Sequence, residues 1–541
     1  MKQQVHATTR ALGFVALIIS FVGLTAGTSS AEGTQPGVKA EASLSKAPDP
    51  AVGQKRRRTA PRRKATSRVK PTTGRASRAP AATWSAPHGA DALASAVGTA
   101  LASHTRNGGW GAIIVSLTRG DTLFAQNADA MMQPASTMKM YTSAVALDKF
   151  GPDFTFHTPV LRDGVVGPDG SLAGNLYLRG VGDPSLSSRF WRDEEPMDAL
   201  AKQVAAAGIK HIRGDIIGDA TAFDDKLVPD GWKTSYLGAS YAARVSALSL
   251  NENLIWVVAK PEGNKASVTL DPATTAIPVE SSVGLINGAG GRISASRRPD
   301  GTINVRGSIG GRSGPLRYSF VVDNPALFAT GALRASLQKL GITVGGQIHL
   351  APTPPSAVEV AAISSPPLAQ IIGEMDRESI NIYAELLYRA AAHASLNQVG
   401  SAETGLTNLR DFLSKKVGTS PTVVDVADGS GLSQLDRVTA RSMVQLLGYV
   451  HRADWGPVFH AALPVDGESG TLKRRSKGTP ARGNLHAKTG TTNTVAALGG
   501  YVTAKNGEVL AFSLIYNGRD RWNAKTAMDQ IGATMAEFVR Q

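Results

Sequence analysis

Ser136-Thr137-Met138-Lys139 places a hydroxyl and an amine three residues apart, which on a helix means the same face. A serine hydroxyl is a weak nucleophile until a base takes its proton. Lysine serves as that base only when burial or cationic neighbours pull its pKa from about 10.4 toward neutrality. A helix starting just after Pro134 would aim free N–H groups and a positive dipole end at the oxygen. The pattern alone is weak, because Ser43/Lys46, Ser67/Lys70 and Ser336/Lys339 repeat it. Two downstream motifs, in a fixed order, distinguish Ser136. Ser379-Ile380-Asn381 opens a helical stretch, and Lys488-Thr489-Gly490 ends an apparent edge strand. Ser249/Asn251 and Ser395/Asn397 duplicate the second pattern, but nothing duplicates the third. In such a set the second serine relays a proton, the asparagine holds a substrate amide and Lys-Thr binds a carboxylate. The glycine lets a substrate backbone pair closely beside the strand.

These motifs, in this order, resemble those of the penicillin-binding proteins and serine β-lactamases. The long gap between Ser136 and Ser379 resembles one branch in particular, the D-alanyl-D-alanine carboxypeptidase/endopeptidases. These are the class C low-molecular-mass penicillin-binding proteins (peptidase family S13), whose catalytic domain is interrupted there by two nested domains. The segments beginning at Leu176, Gly214, Asp428 and Leu463 agree with that branch. The resemblance implies that Ser136 is acylated, Lys139 is its base, Ser379 relays the proton and Asn381 orients the acyl side chain. Lys488 and Thr489 would bind the terminal carboxylate or help deacylation, with Gly490 beside them, and the N–H groups of Ser136 and Thr491 would form the oxyanion hole. Peptidoglycan stem peptides and covalent β-lactams are the implied partners, with no cofactor and no metal. The chain departs from the family at Gln434 and Asp436, where Arg and Asn are frequent, and in 233–241, which holds no acid. Both departures bear on side-chain preference, not on acyl transfer.

The elements that must position these residues are expected to form an α+β domain split in sequence. A helix is expected over 91–102 with Asp91 as N-cap, then strands at 110–116 and 122–125. Strands at 484–489, 495–502 and 508–516, joined by a turn at 505–507, and a helix over 523–539 complete it. The fold class is thus a transpeptidase-like antiparallel sheet flanked by helices. One or two mostly β inserted domains interrupt it, the second nested at about 255–325. The expected division is 91–164, the insert 165–355, then 356–541.

Composition narrows the alternatives. A hydrophobic content of 42% with 19% charged residues describes a folding chain, and zero Cys excludes disulfides, thiolate-bound metals and a thiol nucleophile. The net charge of +15 suggests nucleic acid until it is located: an excess of ten falls in 32–90, a Pro/Ala-rich stretch expected to be a disordered linker. Residues 1–31 read as a cleaved secretory signal, with a basic start, a short apolar run and Ser29-Ser30-Ala31, an uncleaved N-terminal anchor being the competing reading because the run is not far below spanning length. An exported, periplasmic or wall-associated protein is therefore expected, with the linker meeting anionic envelope polymer or lipid and no nucleic acid. A spacer that binds nothing is the competing reading. A Gly-x-Ser-x-Gly elbow and a zinc ligand set are both missing from the sequence, and Asp183, Asp219, Asp224 and Asp225 read as turn residues. The remaining alternatives are a non-catalytic wall-binding scaffold of the same fold and a β-lactamase or esterase.

Overall fold

The computed structural model describes residues 84–541. The expectations for the signal segment and for most of the linker lie outside the described residues. A five-stranded sheet organises the site, its strands in the order Thr122–Gln126, Gly108–Ser116, Val509–Gly518, Val495–Thr503, His486–Thr491, each pair antiparallel. Both faces are covered. In the strand Val495–Thr503, Val495, Ala497 and Tyr501 enter one core while Ala496, Leu498 and Val502 enter another. Period-two alternation between two apolar environments is why this strand reads as a nearly unbroken hydrophobic run. One core is closed by the first and last helices, Ala90–His104 and Arg521–Ala536, which pack together. The other is closed by the helices Lys139–Phe150, Leu368–Glu378, Asn381–Leu396 and Ala440–Arg452.

Between the two halves, strands His157–Arg162 and Val358–Ser364 lie side by side at the edge of a second five-stranded sheet. Helices Pro196–Ala206 and Pro325–Lys339 pack on each other and share that sheet's core. A further set of six strands between Leu254 and Val321 forms two three-stranded sheets.

Several boundaries differ from the sequence expectation. The first helix begins at Ala90, with Gly89 at the N-cap and no side-chain cap. Gly89 holds φ 92° and its N–H is taken by the Val539 carbonyl, so the tie to the chain's other end sets the entry and Asp91 falls in the first turn. The edge strand runs His486–Thr491 rather than 484–489, because the Asn484 side chain bonds across to the backbone of Thr503. The strands Val279–Ile286 and Gly291–Arg297 escape a reading of the sequence. Their Ser and Gly content masks alternation, and they pair through the shared strand Ile303–Gly310.

Ser136 sits in a single 3₁₀ turn, Ala135–Met138, which runs directly into the helix Lys139–Phe150. In that geometry residues three apart eclipse one another, so Ser136 and Lys139 are aligned more closely than on an α-helix. The turn is wedged between two glycines. A Cβ on Gly490 would lie 2.7 Å from the Pro134 carbonyl oxygen, and one on Gly431, at φ 81°, would lie 1.9 Å from the Ala135 carbonyl oxygen. Ala135 itself is held at φ 47°. We predict that Gly431→Ala costs about 2–4 kcal/mol, from left-handed strain and overpacking together. Gly238→Ala, with nothing within 4 Å, should change stability by less than about 0.5 kcal/mol. Urea midpoints measure the difference, and equal midpoints contradict the wedge.

Candidate functional site

The Ser136 side chain is half-buried at the mouth of a cleft, and the Lys139 amine beneath it is fully buried. Lys139 Nζ lies 3.2 Å from Ser136 Oγ, 2.6 Å from Asn381 Oδ1 and 2.8 Å from the Ser430 carbonyl oxygen. The last two atoms only accept, so they take N–H bonds from the amine. A neutral amine then turns its lone pair toward the one partner that can donate, the Ser136 hydroxyl. Burial pulls the Lys139 amine down to about 8, against the opposing pull of Asp428, Glu385, Asp376 and Asp436.

Across the cleft, Ser379 caps the helix Leu368–Glu378 at φ 59°, a left-handed geometry costly for a non-glycine residue. Two residues on, Asn381 begins the next helix. The Asn381 amide bridges the site, its Oδ1 accepting from Lys139 and its Nδ2 donating to the Tyr241 carbonyl. Lys488 comes from the edge strand, is fully buried, and donates to Ser379 Oγ at 2.7 Å and to the Thr489 carbonyl oxygen at 3.2 Å. Burial, then repulsion from Lys139, pulls its amine down to about 7. Thr489 Oγ1 donates to Thr471 Oγ1 at 2.8 Å. Gly490 packs against the turn carrying Ser136, so its missing side chain serves an internal approach as well as the open strand edge.

The cleft has two lobes that share Ser136, Ser379 and Thr491, each a cavity of about 300 Å³. One is lined by Asn381, Tyr236, Tyr241, Leu432 and Asn493, with Arg521 at its end. The other is lined by Thr471, Thr489, Arg475 and Lys525. All eight residues singled out from the sequence therefore lie at or against one cleft.

Sequence reading missed the buried acids behind the lysines. Asp376 accepts from Ser143 Oγ at 2.7 Å and faces both amines. Burial pushes its carboxyl up to about 6, with Lys488 opposing most strongly. Asp428 accepts from the N–H groups of Ser430, Gly431 and Ser433 and from Trp232 Nε1, which fixes the loop whose Ser430 carbonyl receives Lys139. Burial, then Asp428, pushes the Glu385 carboxyl up to about 8 and raises that of Asp436 well above its usual range. Asp436 accepts from Ala427 N–H and lies beneath the loop, away from the cleft lining, while Gln434 reaches the Gly231 carbonyl. A polar turn run, Asp428-Gly429-Ser430-Gly431, was the visible signal for the loop; Asp376 left none. His486 stacks on His460, with ring centroids 4.3 Å apart, away from the cleft lining. Asp183 and Asp219 accept from the backbone two residues on, as turn residues do, whereas Asp224 pairs with the buried Arg389.

The profile of the D-Ala-D-Ala carboxypeptidase 3 (S13) family matches residues 93–538. A D-alanyl-D-alanine carboxypeptidase of Actinomadura sp. (strain R39) is 34% identical over 449 residues, covering 79% of this chain and 81% of that protein. One from Haemophilus influenzae is 26% identical over 419 residues, covering 75% and 85%. The crystal structure of penicillin binding protein 4 from Haemophilus influenzae shares the fold, with a TM-score of 0.67 at 24% identity over 81% of this chain and 97% of that one. The same protein complexed with a β-lactam gives 0.62. The helix-flanked sheet with its long insert is thus a penicillin-binding-protein fold. With its sequence matched from the first helix to the last, the chain belongs to the D-Ala-D-Ala carboxypeptidase 3 (S13) family.

Proposed function

We propose that the protein is a serine DD-peptidase that opens the D-Ala-D-Ala bond of peptidoglycan stems, the D-Ala cross-link, or both, through an acyl-enzyme on Ser136. One observation carries the reading: a half-buried serine hydroxyl meets the amine of a fully buried lysine at 3.2 Å, in a cleft beside a second pair, the fully buried Lys488 and the half-buried Ser379. Neutral Lys139 takes the Ser136 proton as Oγ attacks the scissile carbonyl. The oxyanion then receives the N–H groups of Ser136 and Thr491. Collapse expels the D-amino acid, whose nitrogen takes, relayed through Ser379, the proton that Lys139 removed from Ser136, so that Lys139 is neutral again while Lys488 holds the Ser379 hydroxyl. Asn381 holds the acyl side and Lys488 with Thr489 the carboxylate of the leaving residue. Water then attacks the ester, Lys139 again accepts the proton, and it passes that proton to Ser136 Oγ as the ester bond breaks. The edge of the strand His486–Thr491 suits an extended peptide at Thr489–Thr491, beyond the His486–Ala487 end that pairs with Pro464 and Val465. The proposed division, two catalytic halves at 91–164 and 356–541 around the insert 165–355, is supported by the strands at 157–162 and 358–364, which enter and leave the inserted sheets side by side.

The exported, envelope-bound setting belongs to the same proposal. No helix among the described residues is long and apolar enough to cross a membrane, and the basic excess of 32–90 suits anionic envelope material.

Fluorescent penicillin should tag the protein covalently and should not tag Ser136→Ala; label on the variant contradicts the assignment. Purified muropeptides, scored for free D-alanine against cleaved dimers, apportion the two activities. The base must be unprotonated, so Lys139 sets a limb along which acylation falls below about 8 by up to about tenfold per unit, while loss of the Lys488 proton above about 7 opposes it by loosening the substrate carboxylate. Removing the anion that favours both ammonium forms lowers their pKa values further. Asp376→Asn should therefore move the profile toward lower pH, and an unmoved profile denies Asp376 its charge role. Deleting residues 32–83, which spares the tie of Gly89 to Val539, should leave turnover of small substrates unchanged and weaken salt-sensitive attachment to isolated envelope. Attachment insensitive to the deletion contradicts the linker's role.

A further inference from the structure

The lobe lined by Thr471, Thr489, Arg475 and Lys525 carries more positive charge than the protein neutralises. Arg475 is closed: its guanidinium donates to Asp529 Oδ1 at 2.8 Å and to the Lys525 carbonyl. Lys488 donates to Ser379 Oγ and the Thr489 carbonyl, and its remaining capacity is assigned above to the carboxylate adjoining the scissile bond. Lys525 differs from both. Its ammonium is half-buried and, among the described residues, has no carboxylate within 4 Å, while Arg475 and Arg521 stand near it. Burial, then those two cations, lowers its pKa, with only Asp529, already tied to Arg475, opposing them. The amine lies over the Trp522 ring, 4.5 Å from the centroid, a contact that leaves its charge uncancelled. Lys525 also comes from the last helix, an element separate from the three motifs.

We propose that Lys525 makes this lobe a subsite for a second carboxylate on the leaving group, one beyond the carboxylate adjoining the scissile bond. This rests on the DD-peptidase reading, in which the adjoining carboxylate meets Lys488 and Thr489 and the leaving residue occupies this lobe. The ligand class is a D-amino acid or acceptor stem that carries an additional carboxylate, as a cross-linked stem does and a terminal D-alanine does not. Lys525 is then a specificity-determining residue that favours cross-link cleavage over release of free D-alanine. A cation desolvated by its surroundings and repelled by its neighbours gains most from such a partner, because the anion relieves both costs at once.

The test uses three tripeptides with one acyl portion ending in D-Ala and a leaving residue of D-Ala, D-Glu or D-Gln. D-Glu and D-Gln match in shape and differ in charge. At low salt the full-length enzyme should show a kcat/KM for the D-Glu substrate about fivefold above that for D-Gln, the size of a partly exposed ion pair. Added salt should narrow the gap. Lys525→Met should bring the ratio to within about twofold, while Lys525→Arg keeps most of it, since a merely structural lysine would not discriminate charge. Equal wild-type rates for D-Glu and D-Gln, or a ratio that persists in Lys525→Met, overturn the inference. Failure of all three substrates to release any D-amino acid is a distinct result: it overturns the DD-peptidase reading, and the subsite with it.

Discussion

Two lysine side chains, Lys139 and Lys488, are fully buried in one cleft, and much of the surrounding structure answers to that fact. Taking an ammonium ion out of water costs roughly several kcal/mol even after relaxation, and two near each other add mutual repulsion. The protein tempers this without removing it. Asp376 faces both amines, Asn381 and the Ser430 carbonyl accept from Lys139, and Ser379 accepts from Lys488. The remaining cost emerges as lowered pKa values. In the proposed mechanism that remainder is what turns a lysine into a base at neutral pH. A site that fully neutralised both amines would be more stable and chemically inert.

The fold supplies the groups from four separate places. The 3₁₀ turn aligns Ser136 over Lys139, a left-handed Ser379 joins two helices at the cleft, the edge strand brings Lys488, and the loop anchored on Asp428 brings the Ser430 carbonyl. Gly431 and Gly490 let loop and strand close on the turn from either side. The geometry is therefore held by backbone contacts that tolerate no added carbon atom. This rigidity keeps the Ser136–Lys139 distance fixed while the surroundings of the substrate vary between the two lobes.

The groups gathered at the cleft were legible in the sequence because each motif is local: a few residues fix hydroxyl, amine and amide on one helix face or one strand. The outer strands and helices of the catalytic sheet were legible to within a few residues for the same reason. The groups that tune the lysines were not. Asp376 reads as an ordinary polar helix residue until that helix packs beside Lys139–Phe150. Lys525 sits on an amphipathic terminal helix with no local sign that it reaches the cleft. Asp436, visible as a departure from a family pattern, proved to lie beneath the loop, where its carboxyl meets Asp428 rather than substrate. The first helix's N-cap failed on similar grounds, because a tie to Val539 outweighed Asp91's local preference.

The mechanism stands on the protonation of one amine. Lysine labelled with ¹³C at Cε, with Lys139→Arg used for assignment, reports that titration directly. The Lys139 signal should titrate far below the ordinary lysine value of 10.5, at about 8. A Lys139 that holds its proton up to the ordinary value would contradict a lysine base for Ser136 and the constraint on which the rest of the site is built.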